Sequence, residues 1–532
     1  MYFRHKPLCG DRRARCTIVS FLFCFCCATI TFRISRMKHS LTTIAFLVLA
    51  ASLCVGQANL YSSWTNFPQS SSFFPIVMWL QPPTRTLGAG SPYTTDAAAM
   101  AATKMNVLLA IDGGGGGNYP TSYGADSGGQ FQALVNNGIY GILAADTTGN
   151  SSVTSVASLK AMAASLNASS SLIGYNLGDE PQSNCSLVSS VPATTATVSG
   201  YDSTRPLFWN HTDWTFGHGV CSGNPAALQA TSVGSFDLYP LISPWNGASN
   251  IPIVSGQAQD SMWIQGYSVN RFIASGRTGQ PIWAYVDTGT NALAYSSQNN
   301  SGCSATTNLC TPDNHEYRAT AEQVNAEVWM SVINGAMGIE YFCDDTSITT
   351  GQTAYDFCLG NNVSGEGSAA AAIASNLTYI DTTLLSFAPQ LNSAVLGICT
   401  MNTGTLYTNY TTSCSNGILT MSTATSTVPG SAIAKNYNGT LYLFADSDRN
   451  GSATMTFTLS GYAGQTATVV YDSNAHYDPA HSSMGNTFAL NASGQFSDSF
   501  GANGHNYQPK IYKIAGAGTA PAPPTNLSAT PH

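Results

Sequence analysis

Charged side chains are scarce in this 532-residue chain: Asp, Glu, Lys and Arg make up 9% of it. Glutamate is scarcest among the acids, occurring at Glu180, Glu316, Glu322, Glu327, Glu340 and Glu366. Basic residues number 19 against 27 acids, and the first 58 residues hold eight of the basic ones with a single acid, Asp11. The remainder has 11 basic and 26 acidic residues, a net charge of −15. Such a surface argues against nucleic acid as a partner, since phosphate binding needs clustered Lys and Arg. It permits a neutral ligand.

Other absences narrow the chemistry. No Gly-x-Ser-x-Gly elbow occurs, which counts against the common α/β serine hydrolases. Gly113–Gly117 is a plain glycine run without the spaced pattern of a dinucleotide fingerprint, and it reads as a flexible loop. His211, His218 and His315 are scattered along the chain. Beyond residue 58 the cysteines are Cys185, Cys221, Cys303, Cys310, Cys343, Cys358, Cys399 and Cys414, none at the two-residue spacing of a zinc knuckle. Neither a metal nor a cofactor is expected. An even cysteine count in an exported chain reads as disulfides, most economically 185–221, 303–310, 343–358 and 399–414, although sequence cannot fix the connectivity.

Export is expected from the leader. Met37 opens a signal-peptide pattern: Lys38 and His39, an apolar stretch from Ile44 to Val55, then small residues around Gly56-Gln57-Ala58. Residues 1–36 read as an upstream over-read and 37–58 as the signal peptide. The mature protein is then secreted, with periplasm or cell surface as variants, and makes no stable membrane insertion after cleavage.

From Phe73 onward, apolar runs of strand length recur. They lie at Phe73–Leu80, Met105–Ile111, Ile139–Ala145, Leu172–Leu177, Pro206–Asn210, Ser235–Tyr239, Pro281–Val286 and Met337–Phe342. Helical spacers separate them. The clearest is Thr320–Ile333, where Val324, Val328, Trp329 and Val332 fall at helical spacing and Gly335 follows as a stop. Eight βα units in this length predict a (β/α)8 TIM barrel over 59–392, with a doubly wound open sheet as the alternative. Trp329 is expected in its core.

Tryptophan then disappears: all eight lie between Trp64 and Trp329. Short alternating runs follow at Thr440–Asp446, Ala453–Leu459, Thr466–Tyr471, Thr487–Leu490 and Pro509–Ile514, predicting an antiparallel β-sandwich over 393–514. Residues 515–532 read as a flexible tail. Asp446-Ser447-Asp448-Arg449-Asn450-Gly451 mimics the start of a calcium loop, but Phe457 stands where a closing carboxylate belongs, so the stretch reads as a hairpin turn.

A parallel barrel gathers its strand ends on one face. Asp112, Asp146, Asp179, Glu180, Asp213, Asp237 and Asp287 would share that mouth with Trp79, Trp209, Trp214, Tyr239, Trp245 and Trp283. Carboxylates bind hydroxyls and perform acid–base work, while flat rings cover the apolar faces of a pyranose, so the expected partner is a carbohydrate. Packing between strands and helices is the competing role for the tryptophans. The stretch Leu172–Pro181 is the focus: an apolar strand ending in Asp179, Glu180 and a proline that stops it. Its competing role is a helix N-terminus capped by Asp179.

The ending Gly178-Asp179-Glu180-Pro181 resembles the fourth-strand motif of clan A glycoside hydrolases, usually Asn-Glu-Pro, whose glutamate is the general acid/base. Pro281–Thr288, with Asp287, falls where the clan carries its seventh-strand nucleophile. Glu327–Phe342 is similar to its eighth βα unit. The resemblance implies a hydrolase cleaving glycosidic bonds, with Glu180 as acid/base and Asp287 or Glu340 as the second carboxylate. Two departures matter. Asp179 replaces an asparagine and cannot donate to a sugar hydroxyl, and Asp287 replaces a glutamate and is one methylene shorter. Retaining and inverting outcomes both stay open, as does a non-catalytic carbohydrate-binding protein on a degenerate barrel.

Overall fold

The computed structural model describes residues 60–79, 92–111, 130–144, 169–178, 185–212, 225–237, 262–274, 279–288, 303–304, 309–310, 315–316, 319–342, 367–403, 410–415, 417–425, 427–449, 451–501 and 507–515. Eight parallel strands close into a barrel: β1 Ile76–Trp79, β2 Val107–Ile111, β3 Tyr140–Ala144, β4 Leu172–Asn176, β5 Leu207–Thr212, β6 Val233–Asp237, β7 Ile282–Asp287 and β8 Gly338–Phe342. β1 pairs with both β2 and β8, which completes the ring. The helices described between and after them are α1 Pro92–Thr103, α2 Gln130–Asn136, α3 Cys185–Tyr201, α4 Pro225–Ala230, α5 Trp263–Phe272, α6 Ala321–Ile333 and α7 Gly367–Ser386. The expected (β/α)8 barrel is therefore the observed one. The open-sheet alternative fails because no edge is left between β1 and β8.

Strand periodicity sorts the side chains into two layers. Val77, Val107, Leu109, Ile142, Phe208, Val233, Trp283 and Tyr285 fill the barrel, and Tyr61 and Phe67 from the segment before β1 join this interior cluster. Ile76, Met78, Leu108, Leu143, Leu207, Val286, Ile339 and Tyr341 turn outward beneath the helices. The register shift between Gly141 and Ile142 in the β3–β4 pairing lets Tyr175 turn outward with Leu172. Helix α6 begins where the sequence placed it. Thr320 caps it, its hydroxyl accepting from the Gln323 amide at 3.2 Å while the Gln323 side chain accepts from the Thr320 amide at 2.7 Å.

After the short helix α8, Ala388–Leu391, ten strands follow: β9 Ala394–Thr403, β10 Tyr410–Cys414, β11 Leu419–Thr423, β12 Gly430–Tyr437, β13 Thr440–Ser447, β14 Ala453–Leu459, β15 Thr466–Asp472, β16 Thr487–Ala489, β17 Gln495–Phe500 and β18 Lys510–Ile514. They form a seven-stranded sheet ordered β10-β9-β12-β13-β18-β15-β16 and a three-stranded sheet ordered β11-β14-β17. The expected antiparallel sandwich is present, with twice the strands the sequence marked. One reading is corrected. The hairpin reading of Asp446–Gly451 fails because β13 and β14 do not pair: one belongs to the large sheet and the other to the small one.

The large sheet is covered on both faces. Ala432, Ala434, Leu443, Ala445, Val469 and Tyr512 meet the small sheet, while Ile433, Phe444, Tyr471 and Ile511 join the barrel's helices. Trp329 of α6 lies at that seam, fully buried, with ring centroids 6.3 Å from Phe444 and 5.2 Å from Tyr471. Its expected core role holds. Cys399 and Cys414 form a disulfide between β9 and β10. Cys303 and Cys310 stand opposite each other in a small antiparallel ribbon of two-residue strands; pairings involving Cys221, Cys343 and Cys358 lie outside the described residues. No helix among the described residues is long and apolar enough to cross a membrane.

Candidate active site

Because all eight strands run parallel, their last residues share one rim: Trp79, Ile111, Ala144, Asn176, Thr212, Asp237, Asp287 and Phe342. Three of the expected site residues, Trp79, Asp237 and Asp287, close their strands there, and Asp287 pairs in register with Phe342. Asp237 is half-buried. Asp112, Asp146, Asp179, Glu180, Asp213, Trp214, Tyr239 and Trp245 lie outside the described residues.

Glu340 belongs to β8, flanked in register by Val77 of β1 and Tyr285 of β7. Alternation with Ile339 and Tyr341, which face the helices, turns it into the barrel, where it is fully buried. A buried carboxylate needs hydrogen-bond donors to offset its lost hydration. Ser235 of β6 donates to Glu340 Oε2 at 2.9 Å, and its hydroxyl also lies 3.3 Å from Asn210 Oδ1 on β5. Asn210 ties this cluster to the chain just beyond β4, its backbone N–H donating to the Gly178 carbonyl at 3.3 Å. Glu180 follows Gly178 by two residues in the chain.

Aromatic packing closes the barrel beneath this cluster. Trp283 Nε1 donates to the Tyr61 hydroxyl at 2.8 Å, and that hydroxyl donates to the Met337 carbonyl at 3.2 Å. Burial drives the Tyr61 pKa far above its ordinary value; the indole donation opposes this and the charge of Glu340 adds to it. Tyr61 is therefore a neutral donor at any working pH. Trp283 packs against Phe208 at 4.6 Å, and Trp209 is buried in the layer facing the helices. Both rings, expected as sugar plates, have their faces taken up by packing.

A second cluster holds β4 from outside. Tyr175 donates to Asp202 Oδ2 at 2.8 Å, Arg205 Nη1 meets the same oxygen at 2.7 Å, and Arg205 Nε donates to the Leu172 carbonyl at 2.7 Å. Burial alone would raise the Asp202 pKa, but hydrogen bonds from Thr204, Tyr175 and Arg205 outweigh it and hold the carboxyl below its usual range. The strand leading to Glu180 is thereby fixed at its start.

Sequence reasoning missed Ser235, Asn210 and Tyr61. Two of them had a signal: Asn210 and Ser235 each stand two residues after an inward apolar residue, Phe208 and Val233, so period two aims them inward. Tyr61 lies 15 residues before β1, with nothing local to mark it.

No protein-family profile matches the sequence, and no curated protein matches it. Solved structures that resemble the fold include a glycoside hydrolase at 12% identity, covering 84% of this chain and 94% of that one with a TM-score of 0.47. A family 5 glycoside hydrolase from Bacteroides vulgatus matches at 13% identity over 84% of this chain and 90% of that one, with a TM-score of 0.46. AmyP in complex with maltose matches at 10% identity over 87% and 99%, with a TM-score of 0.43. Likeness at this level fixes no chemistry, which rests on the residues themselves.

Proposed function

We propose that this protein is a secreted glycoside hydrolase that cleaves an oligo- or polysaccharide, with Glu180 as general acid/base and Asp287 as the second carboxylate. The observation that supports this reading is the path of polar contacts from Glu340 to Ser235, from Ser235 to Asn210 and from the Asn210 backbone N–H to the Gly178 carbonyl. That path leads to Gly178, two residues past β4 and two before Glu180, and β7 ends in Asp287 on the same rim. Glu180 protonates the leaving glycosidic oxygen. Asp287 either attacks the anomeric carbon or activates the water that does, according to the carboxyl separation: ~5–5.5 Å for retention and ~6.5–9.5 Å for inversion. Glu340, anchored from below by Ser235, adds negative potential under the reacting ring and so favours positive charge at the anomeric carbon. Asp237 and Trp79, at the ends of β6 and β1, bind the sugar.

The test is a panel of aryl glycosides and plant and microbial polysaccharides incubated with wild type, Glu180→Gln and Asp287→Asn, with sugar binding measured in parallel. Turnover by the wild type and its loss in both variants, with binding retained, is the expected result. Binding without turnover by the wild type would make this a carbohydrate-binding protein instead.

A further inference from the structure

Asp446 and Asp448 have no part in the barrel's chemistry, and the structure buries both. Tyr442, Phe444 and Asp446 alternate along the face of β13 that packs toward the barrel. Asp446 and Asp448 are 0% and 1% exposed. Ser431 of β12, paired in register with Asp446, donates to Asp448 Oδ2 at 3.0 Å and lies 3.5 Å from Asn334 Oδ1 at the C-terminal end of α6. Neither oxygen of Asp446 has a side-chain donor, only the backbone N–H groups of Ser431 and of Asp446 itself approach it, and neither carboxylate forms an ion pair among the described residues. Arg449, next in the chain, directs Nη1 to the Thr427 carbonyl at 3.4 Å.

Two carboxyl groups buried together with one side-chain donor between them are costly to ionise unless a positive charge joins them; otherwise they keep a proton. The acceptors at hand are all oxygen: two carboxylates, the Ser431 hydroxyl and the Asn334 amide oxygen, which also accepts from Asn270 Nδ2 at 2.5 Å and has a second lone pair. Oxygen-only sets suit hard cations, and carboxylate, hydroxyl and amide oxygens are calcium donors. We propose that Asp446, Asp448, Ser431 and Asn334 form a structural site for a hard divalent cation, calcium in class, at the seam between the barrel and the sandwich. A calcium loop continuous in sequence would take its remaining donors from downstream, where Phe457 stands in place of the closing carboxylate. The fold supplies them from β12 and from the barrel, more than a hundred residues upstream in the case of Asn334. Bound there, the ion ties the end of α6 to the β13–β14 crossing.

The test uses the full chain at pH 8, stripped with EDTA and then titrated with CaCl2, following thermal unfolding and calcium binding by calorimetry. The wild type should gain several degrees in midpoint and show a calcium site that Asp446→Asn and Asp448→Asn lack. In EDTA both variants should unfold no earlier than the wild type, because each removes one of two neighbouring buried carboxyl groups. Ser431→Ala keeps both carboxylates and should bind calcium at least several-fold more weakly, which serves if an Asn variant fails to fold. A wild-type midpoint unmoved by Ca2+, Mg2+ or Mn2+ overturns the proposal, as do variants that respond as fully as the wild type. Neither result bears on the glycosidase reading, since sugar turnover is measured separately.

Discussion

Gly338 opens β8 on the barrel's inner face, two residues before Glu340, and a methyl group there has no room. A Cβ at Gly338 would lie 2.6 Å from Trp283 Cδ1 and 2.8 Å from both Cγ and Nε1. The indole cannot step aside cheaply, because Tyr61 holds its Nε1 and Phe208 and Phe67 lie 4.6 Å and 6.4 Å from it. Overpacking of this kind costs ~1–3 kcal/mol. Replacing glycine by alanine also removes unfolded-state entropy, returning roughly 0.4–1 kcal/mol. Gly338→Ala should therefore destabilise by about 1.3 kcal/mol at the midpoints of these two ranges. Urea unfolding followed by tryptophan fluorescence reads this as a lower midpoint at unchanged slope. The cause is checked by Gly338→Ala combined with Trp283→Leu: the double variant should lose less than the sum of the single losses, since the smaller side chain makes room for the methyl. An unchanged or raised midpoint for Gly338→Ala, or strict additivity in the double variant, would refute the close contact between β7 and β8 on which the placement of Glu340 depends.

Two further outcomes follow from the seam between barrel and sandwich. Trp329→Ala removes a fully buried indole packed on Phe444 and Tyr471 and should cost ~3–5 kcal/mol in the same assay; a loss below about 1 kcal/mol would mean that the two parts do not share a core there. Lys435 is buried, with its ammonium donating to the Leu391 carbonyl at the end of α8, and burial pushes its pKa down to about 8. The unfolded value is about 10.4, so the penalty for the folded charged form is present in full below about pH 8 and is relieved as pH rises toward 10.4. The wild type should gain up to about 3 kcal/mol across that window, and Lys435→Met should lack the gain; parallel stability–pH curves for the two proteins would contradict it.

The barrel was legible because each of its strands is a short apolar run followed by a polar residue, and because α6 carries both helical spacing and a capping pair. The sandwich was half legible for a physical reason. β13 and β14 keep a recognisable strand pattern, but β12, Gly430–Tyr437, is buried from Gly430 through Lys435 between the barrel and the small sheet, so its Ala- and Ser-rich sequence has no polar face to alternate with. β9 escapes notice similarly, with Gly397 pressed against Leu419 of the small sheet. At the candidate site, the strand-end positions of Asp237 and Asp287 could be read from where the apolar runs stop. The Ser235–Glu340 contact could not, since it joins residues 105 apart across a closed ring. Trp209 and Trp283 illustrate the converse. Composition marked them as aromatic, and only the strand register decides that one faces the helices and the other the barrel interior.

The central claim is that Glu180 gives its proton to a departing sugar oxygen, and leaving-group dependence tests it most directly. Hydrolysis by wild type and Glu180→Gln is compared on a dinitrophenyl glycoside, whose leaving group needs no proton, and on the natural oligosaccharide, whose leaving group does. General acid catalysis contributes about 10²–10⁴-fold. The variant should lose that factor on the oligosaccharide and far less in cleavage of the dinitrophenyl glycoside. Equal losses on both substrates, or near-full activity of Glu180→Gln on the oligosaccharide, would contradict the assignment and leave Glu180 as a helix-terminus residue.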